Sequence, residues 1–289
     1  MPSFDRFIDP KTKRRLFYQP DKRLLLTEDG AVCYPVINGI PRFVSPKFYE
    51  EEPVLSTDEV QTGRSFGEKW CEPRSQSLGS RDFDRRSLEE QFLSILGCAS
   101  MKELEVLFEN AKLTLNAGCG VAWSEYLFDL NPKAERHCVD IGLSVEIART
   151  KTADMPNVTV SQASILELPY PDERFDIVYS CGVIHHTADP RRALLEIGRK
   201  VSRDGILGIY IYNKKPFVRE LCDREIRKLT TGMSYEKCMG FSRKMTMLGK
   251  ALSRVSQEFV VEEDIDILGI KAGKYHLQRF VYDHIIKCY

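Results

Sequence analysis

Two glycines and one acidic residue carry the clearest chemical signal in this sequence. Gly118 and Gly120 lie in the run NAGCGVAW, which begins at Asn116 directly after an apolar stretch. Glycines let the backbone approach a ligand closely, and the N-terminus of a following helix offers unpaired N–H groups. Asp140 follows Gly120 by 20 residues, the spacing expected of an acid that binds a ribose diol. Together these residues predict a site for a cofactor that contains a nucleoside.

The third glycine of a dinucleotide fingerprint is missing. In the pattern GxGxxG that glycine lets the helix pack closely on the strand beneath a pyrophosphate. Trp123 occupies the position in this chain. A nicotinamide or flavin site is therefore disfavoured, and an oxidoreductase is the least favoured function class. A nucleoside without a pyrophosphate fits better.

Strands that alternate with short helices must position these residues. From residue 113 onward, short apolar runs alternate with segments of helical periodicity. The predicted strands cover 113–117, 136–141, 158–160, 175–179 and 206–212, and the predicted helices cover 123–130, 144–153 and 190–201. Such alternation indicates parallel βαβ units in an α/β, doubly wound sheet, which binds ligands at the carboxyl ends of its strands. We therefore place the binding core at residues 111–213.

Three further segments flank this core. Residues 1–46 predict a small antiparallel β module, because Asn38-Gly39 between two apolar runs is a strong hairpin signal. Residues 47–110 are expected to form a linker and a helical cap. Residues 214–289 are expected to form a helical lid or C-terminal segment.

Composition and charge exclude several function classes. The 42 Lys and Arg residues balance 42 Asp and Glu residues, whereas a protein that coats duplex nucleic acid needs clustered positive charge. No apolar run approaches the roughly 18 residues of a membrane span. The 9 cysteines form no CxxC pair, so we expect reduced thiols rather than disulfides or metal ligands. A cytoplasmic protein without a membrane span, for which nucleic acid is a disfavoured partner, is the expected class.

Three segments, in the right order, resemble the class I S-adenosylmethionine-dependent methyltransferases of the bacterial type 11 kind. They are LNAGCG at 115–120 with the later Asp140, LPYPDERFDIV at 168–178, and GVIHH at 182–186. The resemblance extends over residues 113–212. It implies a Rossmann-like methyltransferase sheet, S-adenosyl-L-methionine as the cofactor and S-adenosyl-L-homocysteine as its product.

The resemblance also implies which residues hold the cofactor. Asp140 binds the ribose hydroxyls, and Ile141 and Ile165 sandwich the adenine ring. The glycine turn admits the methionine part, and Ser164 reaches the adenine amino group. The complete expected set adds the pair that lines the sulfonium and two aromatic residues of the linker: Asn116, Ala117, Gly118, Cys119, Gly120, Asp140, Ile141, Ser164, Ile165, Cys181, Gly182, Phe66 and Trp70. For the two linker residues the alternative is that they pack the linker against the core.

Three positions depart from the family pattern. Asn116 stands where Asp is frequent, Ala122 where Gly is frequent, and Ser164 where Asp is frequent. Asn and Ser retain the capacity to form hydrogen bonds. The departures keep open a second function class, a catalytically silent methyltransferase-like binding subunit.

Two adjacent histidines are the candidates for catalysis. Methyl transfer to a hydroxyl needs a base near neutral pH, and His185 and His186 follow the fourth predicted strand, where the pocket should open. Adjacent side chains usually face opposite ways, so at most one is expected to meet the substrate; the alternative for either is to cap a loop or helix. The residues expected on the substrate side come from the fifth strand and the C-terminal segment: Tyr212, Asn213, Arg279 and Tyr282.

The N-terminal module resembles the small zinc-ribbon-like domain that precedes many bacterial methyltransferases. CYPVINGIP at 33–41 matches the second half of that pattern, but Asp9 and Thr12 replace cysteines of the first half. We therefore predict no metal site. The module is expected to be a scaffold or a partner surface.

These observations favour an S-adenosylmethionine-dependent methyltransferase that acts on a small molecule or on a glycan or lipid precursor, at oxygen or nitrogen. An RNA methyltransferase is the first alternative, because some ribosomal-RNA enzymes carry a similar N-terminal module. The neutral charge and the missing zinc ligands count against that alternative.

The C-terminal residues show no pair of β-rich runs separated by a helix. We therefore expect a sheet of about five strands, in a truncated or naturally short chain, rather than the usual sheet with two further strands. An uncovered edge of the fifth strand would leave N–H and C=O groups unpaired. The C-terminal segment or a second subunit, as in a homo-oligomer, is expected to cover it.

Overall fold

The computed structural model describes residues 4–46, 85–213, 217–252, 254–266 and 270–281. The chain divides into two compact units, residues 1–212 and residues 213–289.

The N-terminal module of the first unit is a four-stranded antiparallel meander, with its strands in chain order. The strands are β1 (Phe17–Gln19), β2 (Leu24–Leu26), β3 (Cys33–Ile37) and β4 (Ile40–Pro41). Asn38 and Gly39 join the last two strands with φ of 55° and 75°. A type I′ turn requires positive φ at both central residues, so the sequence signal and the hairpin agree.

The core of the first unit is a five-stranded parallel sheet in the order β7-β6-β5-β8-β9. This confirms the Rossmann-like, doubly wound architecture. The strands are β5 (Leu113–Ala117), β6 (Glu135–Asp140), β7 (Val158–Gln162), β8 (Phe175–Cys181) and β9 (Val201–Tyr210). The helices are α1 (Arg85–Leu96), α2 (Met101–Glu109), α3 (Trp123–Phe128), α4 (Ser144–Lys151) and α5 (Pro190–Lys200), with a 3₁₀ turn at Ile184–His186.

Burial on both faces of the sheet extends to polar residues of its strands, such as Thr114 and Thr159. Every residue of β5 and of β7 is buried, as expected of parallel strands that are covered by helices on both sides. Leu115 and Val178 are fully buried in the main core, which also includes Phe7 of the N-terminal module. Because the strands are parallel, their carboxyl ends lie at the same end of the sheet, and so do the predicted site residues that follow β5, β6 and β8.

Strand β9 differs from the prediction of 206–212. It begins at Val201, and the register against β8 shifts between Phe175 and Ile177. The polar residues 202–205 resemble a turn, and in the structure they form an irregularity in the ladder, between the pairs Phe175–Val201 and Ile177–Ile206, where the chain passes close to β8. Gly205 permits this approach, because a Cβ there would lie 2.8 Å from the carbonyl oxygen of Phe175. On its outer side β9 pairs with no strand among the described residues of the first unit, and the cover of that edge stays a prediction.

The second unit is mostly helical, with one short ladder that the sequence did not predict. It contains α6 (Phe217–Thr230), α7 (Tyr235–Leu252), β10 (Glu258–Val261), β11 (Gly273–His276) and α8 (Leu277–Val281). Strands β10 and β11 pair antiparallel. Both strands are four residues long, and cross-strand contacts such as that of Phe259 on Tyr275 stabilise the pair. No described helix is both long and apolar enough to cross a membrane.

Candidate functional site

The glycine turn after β5 folds tightly over the end of β6. The backbone N–H groups of Gly118 and Cys119 donate to the carbonyl oxygen of Val139, at 2.7 and 2.8 Å. Gly118 has a φ of +84°, and a Cβ placed on it would lie 2.5 Å from Val183 Cγ2. Only glycine satisfies both constraints, because an L side chain disfavours this φ and would collide with Val183. The turn therefore brings the end of β5 against the segment that follows β8.

The strand-end acid lies directly under this turn. Asp140 Oδ2 accepts the N–H of Gly120 at 2.8 Å, and Oδ1 accepts the N–H of Gly142 at 2.8 Å. Burial raises the pKa of the Asp140 carboxyl, against the lowering effect of these hydrogen bonds. The Ser144 hydroxyl and the backbone N–H of Ile141 also donate to this carboxyl. The carboxyl group is thus fixed in position by several donors at the end of β6.

Ala122, one of the departures from the family pattern, adopts the backbone conformation that a glycine would adopt. It has a φ of 57° and is fully buried at the start of α3. The left-handed conformation costs an L-residue about 1–2 kcal/mol. The turn geometry is therefore kept in spite of the substitution.

Asn116 contributes its side chain to a network beneath α3. Its Nδ2 donates to Ser124 Oγ at 3.1 Å, and Ser124 Oγ lies 3.0 Å from Tyr179 OH. The hydroxyl of Tyr179 donates to the buried carboxylate of Glu125. The side chains of Asn116 and Cys119 are buried behind the turn, and Ala117 is fully buried in β5.

The ends of β6 and β7 bring the residues expected at adenine side by side. The N–H of Ala163 donates to the Asp140 carbonyl at 3.0 Å. Gln162 Nε2 donates to the carbonyl oxygen of Ile141 at 2.8 Å. Ser164 Oγ accepts the N–H of Leu166 at 3.2 Å, so the side chain at this departure from the family pattern forms a local hydrogen bond, as that of Asn116 does. Beyond this turn, Ile165 is buried in the main core.

The end of β8 carries Cys181 and Gly182 toward the last strand. Gly182 has a φ of +70°, its N–H donates to the Tyr210 carbonyl at 2.9 Å, and a Cβ on it would lie 3.5 Å from the Tyr212 hydroxyl. Burial raises the pKa of the Cys181 thiol to about 11, so it is uncharged at neutral pH. Gly182 therefore lies beside the predicted substrate-side Tyr212, and Cys181 pairs with Tyr210.

Two histidines and a tyrosine form an aromatic cluster at this end of the sheet. The ring centroid of His185 lies 4.1 Å from that of His186 and 4.1 Å from that of Tyr212. The centroids of His186 and Tyr212 are 5.7 Å apart. The expectation that adjacent side chains diverge is wrong here, because the segment is a 3₁₀ turn, in which successive side chains are about 120° apart rather than opposed.

His185 is the titratable group of this cluster whose environment is most distinctive. Both ring nitrogens are buried and have no hydrogen-bond partner among the described residues. Burial lowers the pKa of His185 below its ordinary value of 6.5. A neutral imidazole with a free lone pair can accept a proton from a ligand.

Some expected residues are not placed at this site. Phe66, Trp70 and Tyr282 lie outside the described residues, and Arg279 lies in α8 with its side chain outside them. Asn213 is exposed at the start of the second unit.

The two positions of the N-terminal module at which a zinc-ribbon pattern would have cysteines, Asp9 and Thr12, are joined by hydrogen bonds. Asp9 accepts the N–H of Thr12 at 2.8 Å and the Tyr34 hydroxyl at 2.6 Å. Burial works against ionisation of the Asp9 carboxyl, but these hydrogen bonds prevail and lower its pKa. Over the part of the chain that the structure describes, no group of three or more His, Cys, Asp or Glu side chains could hold a metal ion.

The sequence reasoning missed two contributors to the site. Val183 sets the space beside Gly118, and Tyr210 packs on Tyr212 with ring centroids 5.8 Å apart. The spacing of two between Tyr210 and Tyr212 at a strand end could have revealed the second, because such residues share one face.

Comparisons with known proteins agree with this geometry. Residues 115–209 match the family model described as a methyltransferase domain. A protein of Mycobacterium tuberculosis strain H37Rv, named a probable S-adenosylmethionine-dependent methyltransferase, is 30% identical over 107 residues, which cover 37% of this chain and 38% of that protein. A mouse protein named probable tRNA methyltransferase 9B is 33% identical over 128 residues, 39% of this chain and 27% of that protein.

Among solved structures, the S-adenosylmethionine-dependent methyltransferase from Aquifex aeolicus is 21% identical, with a TM-score of 0.35 over 45% of this chain and 75% of that chain. The chain spans between 25% and 42% of the length of the first two curated relatives it matches. The family match and the named relatives support a methyltransferase domain at residues 115–209.

Proposed function

We propose that this chain binds S-adenosyl-L-methionine at the carboxyl ends of β5, β6 and β8 and transfers its methyl group to an acceptor held beside His185. The observation that carries the proposal is Asp140, whose two carboxylate oxygens are fixed by the N–H groups of Gly120 and Gly142. This arrangement lies within the residues that match a methyltransferase domain.

The residues present fit the cofactor. Bound S-adenosyl-L-methionine supplies a methyl group already activated by a sulfonium leaving group. The Asp140 carboxylate would hold the ribose hydroxyls, and the backbone of the glycine turn, which packs on Val183, would lie beside the methionine part. Ile141, Ser164 and Ile165 would surround adenine, and Cys181 with Gly182 would line the methyl group.

Trp123 favours this cofactor over a dinucleotide. Its ring packs against Phe92 and Phe128, with centroids 5.8 and 6.0 Å away. A large side chain therefore fills the position where a third glycine would let the helix pack closely under a pyrophosphate.

The acceptor side suits proton removal from a small molecule or from a glycan or lipid precursor. His185 would take the proton of an oxygen or nitrogen acceptor as that atom gains the methyl group, and S-adenosyl-L-homocysteine would be released. The lowered pKa keeps the imidazole neutral and able to accept a proton at neutral pH. The aromatic rings of His186 and Tyr212 would exclude water from the acceptor.

Calorimetric titration with S-adenosyl-L-homocysteine tests the cofactor assignment. We expect one site per chain, and Asp140→Ala should weaken binding by about 1.5–3 kcal/mol, the value of hydrogen bonds to a charged group. Asp176→Ala is the matched control. Asp176 Oδ2 also accepts two backbone N–H groups, from Lys112 at 2.8 Å and Leu113 at 3.0 Å, but it lies at the amino ends of the strands, away from the site. Unchanged affinity in Asp140→Ala, or an equal loss in the control, would reject the assignment.

An RNA acceptor is the second candidate, because one relative is named a tRNA methyltransferase. The balance of 42 basic and 42 acidic residues gives it little electrostatic support. Affinity for RNA that falls steeply with salt would favour this candidate. Absence of any cofactor binding would favour the catalytically silent binding subunit.

A further inference from the structure

The N-terminal module forms backbone hydrogen bonds with the outer edge of β7. The N–H of Phe43 donates to the Gln162 carbonyl at 2.8 Å, and Arg42 forms a parallel bridge with Gln162. A second contact follows at the N–H of Ile8, which donates to the Pro169 carbonyl at 3.0 Å. The module therefore occupies hydrogen-bonding groups that an edge strand would otherwise expose.

The side chain of Arg42 extends from the module into the buried interior of the first unit. Arg42 is 1% exposed, and its Nη1 donates to Gln162 Oε1 at 2.9 Å. Its Nη2 pairs with the Glu146 carboxylate on α4. A buried guanidinium must be paired in this way, because an unpaired buried charge is strongly unfavourable.

The contact with Arg42 decides which way the Gln162 amide points. Arginine only donates hydrogen bonds, so the amide oxygen faces it and the amide nitrogen faces the other way. That nitrogen donates to the Ile141 carbonyl at 2.8 Å. Ile141 lies between Asp140 and Gly142, which share the hydrogen bond that fixes the carboxylate. A continuous chain of hydrogen bonds thus runs from the module to the loop after β6.

We infer that Arg42 is a positioning residue for the nucleoside half of the cofactor site. By orienting Gln162 and holding Glu146, it fixes the loop at 140–142 and the start of α4 before any ligand arrives. The inference rests on the proposed function, because the ribose and adenine of the proposed cofactor would bind at this loop. It gives the N-terminal module a task at the site that does not need a metal.

Two variants distinguish a positioning role of Arg42 from a role that only attaches the module to the sheet. Arg42→Lys keeps a buried charge that reaches one partner but not both. Gln162→Glu keeps an acceptor for Arg42 but replaces the amide that donates to Ile141, so the module stays paired while the link to the loop is lost. We expect each variant to raise the Kd for S-adenosyl-L-homocysteine about tenfold, as for other residues that support ligand-binding groups.

Arg6→Gln is the matched control. Arg6 also joins the module to the sheet, through Glu135 at 2.9 Å, but it is half exposed and does not lead to the loop. Its affinity for the ligand should stay within about twofold of the unchanged chain, the scale of a surface ion pair.

Hydrogen exchange of the ligand-free protein gives a readout that does not depend on binding. A peptide covering 139–146 should exchange faster in Arg42→Lys and Gln162→Glu than in the unchanged chain, and equally in Arg6→Gln. Unaltered exchange and affinity in Gln162→Glu, or equal losses in Arg6→Gln, would overturn the inference. If the unchanged chain binds no S-adenosyl-L-homocysteine, the proposed function fails, and the exchange of this peptide still decides whether Arg42 positions the loop.

Discussion

The two halves of the candidate site are built in opposite ways. At the ends of β5 and β6, the polar groups are paired within the protein: Asp140 accepts from Gly120 and Gly142. At the ends of β8 and β9, aromatic rings surround His185, whose ring nitrogens have no hydrogen-bond partner in the described residues.

This difference suggests that one half is fixed before a ligand binds, whereas the other half gains a hydrogen bond only when a ligand is present. A carboxylate fixed by backbone N–H groups loses little freedom when a ligand binds, and so suits a cofactor that returns in every cycle. An unpaired buried nitrogen costs about 1–3 kcal/mol, which a ligand that supplies a proton donor recovers. On the proposed function, the first half would bind the cofactor and the second half the acceptor.

Removal of the His185 side chain is expected to produce the largest effect. His185→Ala should lower the methyl-transfer rate by about 10²–10⁴-fold, the usual contribution of a general base. The rate would be followed as transfer of a labelled methyl group from S-adenosyl-L-methionine into an acceptor found by labelling a small-molecule extract. Turnover retained within about threefold would contradict the role of this side chain.

Gly118 lies where the two halves meet, so a side chain there should disturb both. Gly118→Ala should lower the free energy of unfolding by about 2–5 kcal/mol, from the left-handed φ and from overpacking against Val183. Gly30→Ala is the control, because Gly30 has a φ of +68° with nothing within 4 Å of a Cβ. It should lose only about 1–2 kcal/mol in chemical denaturation. Equal losses in the two variants would show that Val183 does not constrain the turn.

The pH dependence of the methyl-transfer rate should follow the protonation of His185, which lies in the acceptor half. Protonation of His185 removes the base, so the rate should fall as pH drops through the pKa of His185, about tenfold for each pH unit below it. Burial lowers that pKa, so the midpoint should lie below 6.5 and the rate should be level above it. A midpoint at or above 6.5 would place a different group in control.

Features of the structure that depend on short stretches of sequence could be predicted. Gly118 and Asp140 were predictable because a tight turn and a strand-end acid each have a short-range pattern, and the Asn38-Gly39 hairpin has one as well. The order of alternating elements was enough to predict the parallel sheet of five strands.

Features that depend on distant partners were not predictable in this way. The start of β9 at Val201 follows from pairing with β8, and the convergence of His185 and His186 follows from a 3₁₀ turn. Arg42 looks like an ordinary surface cation in the sequence, because its partners Gln162 and Glu146 lie more than 100 positions away.

The most direct test of the division between the two halves is the affinity for S-adenosyl-L-homocysteine of three proteins, measured by calorimetry: the unchanged chain, Asp140→Ala and His185→Ala. We predict that Asp140→Ala binds about 10- to 150-fold more weakly than the unchanged chain, which is the conversion of about 1.5–3 kcal/mol. His185→Ala should bind within about twofold of the unchanged chain, because its side chain belongs to the acceptor half. Equal weakening in both variants, or no binding by the unchanged chain, would contradict the account.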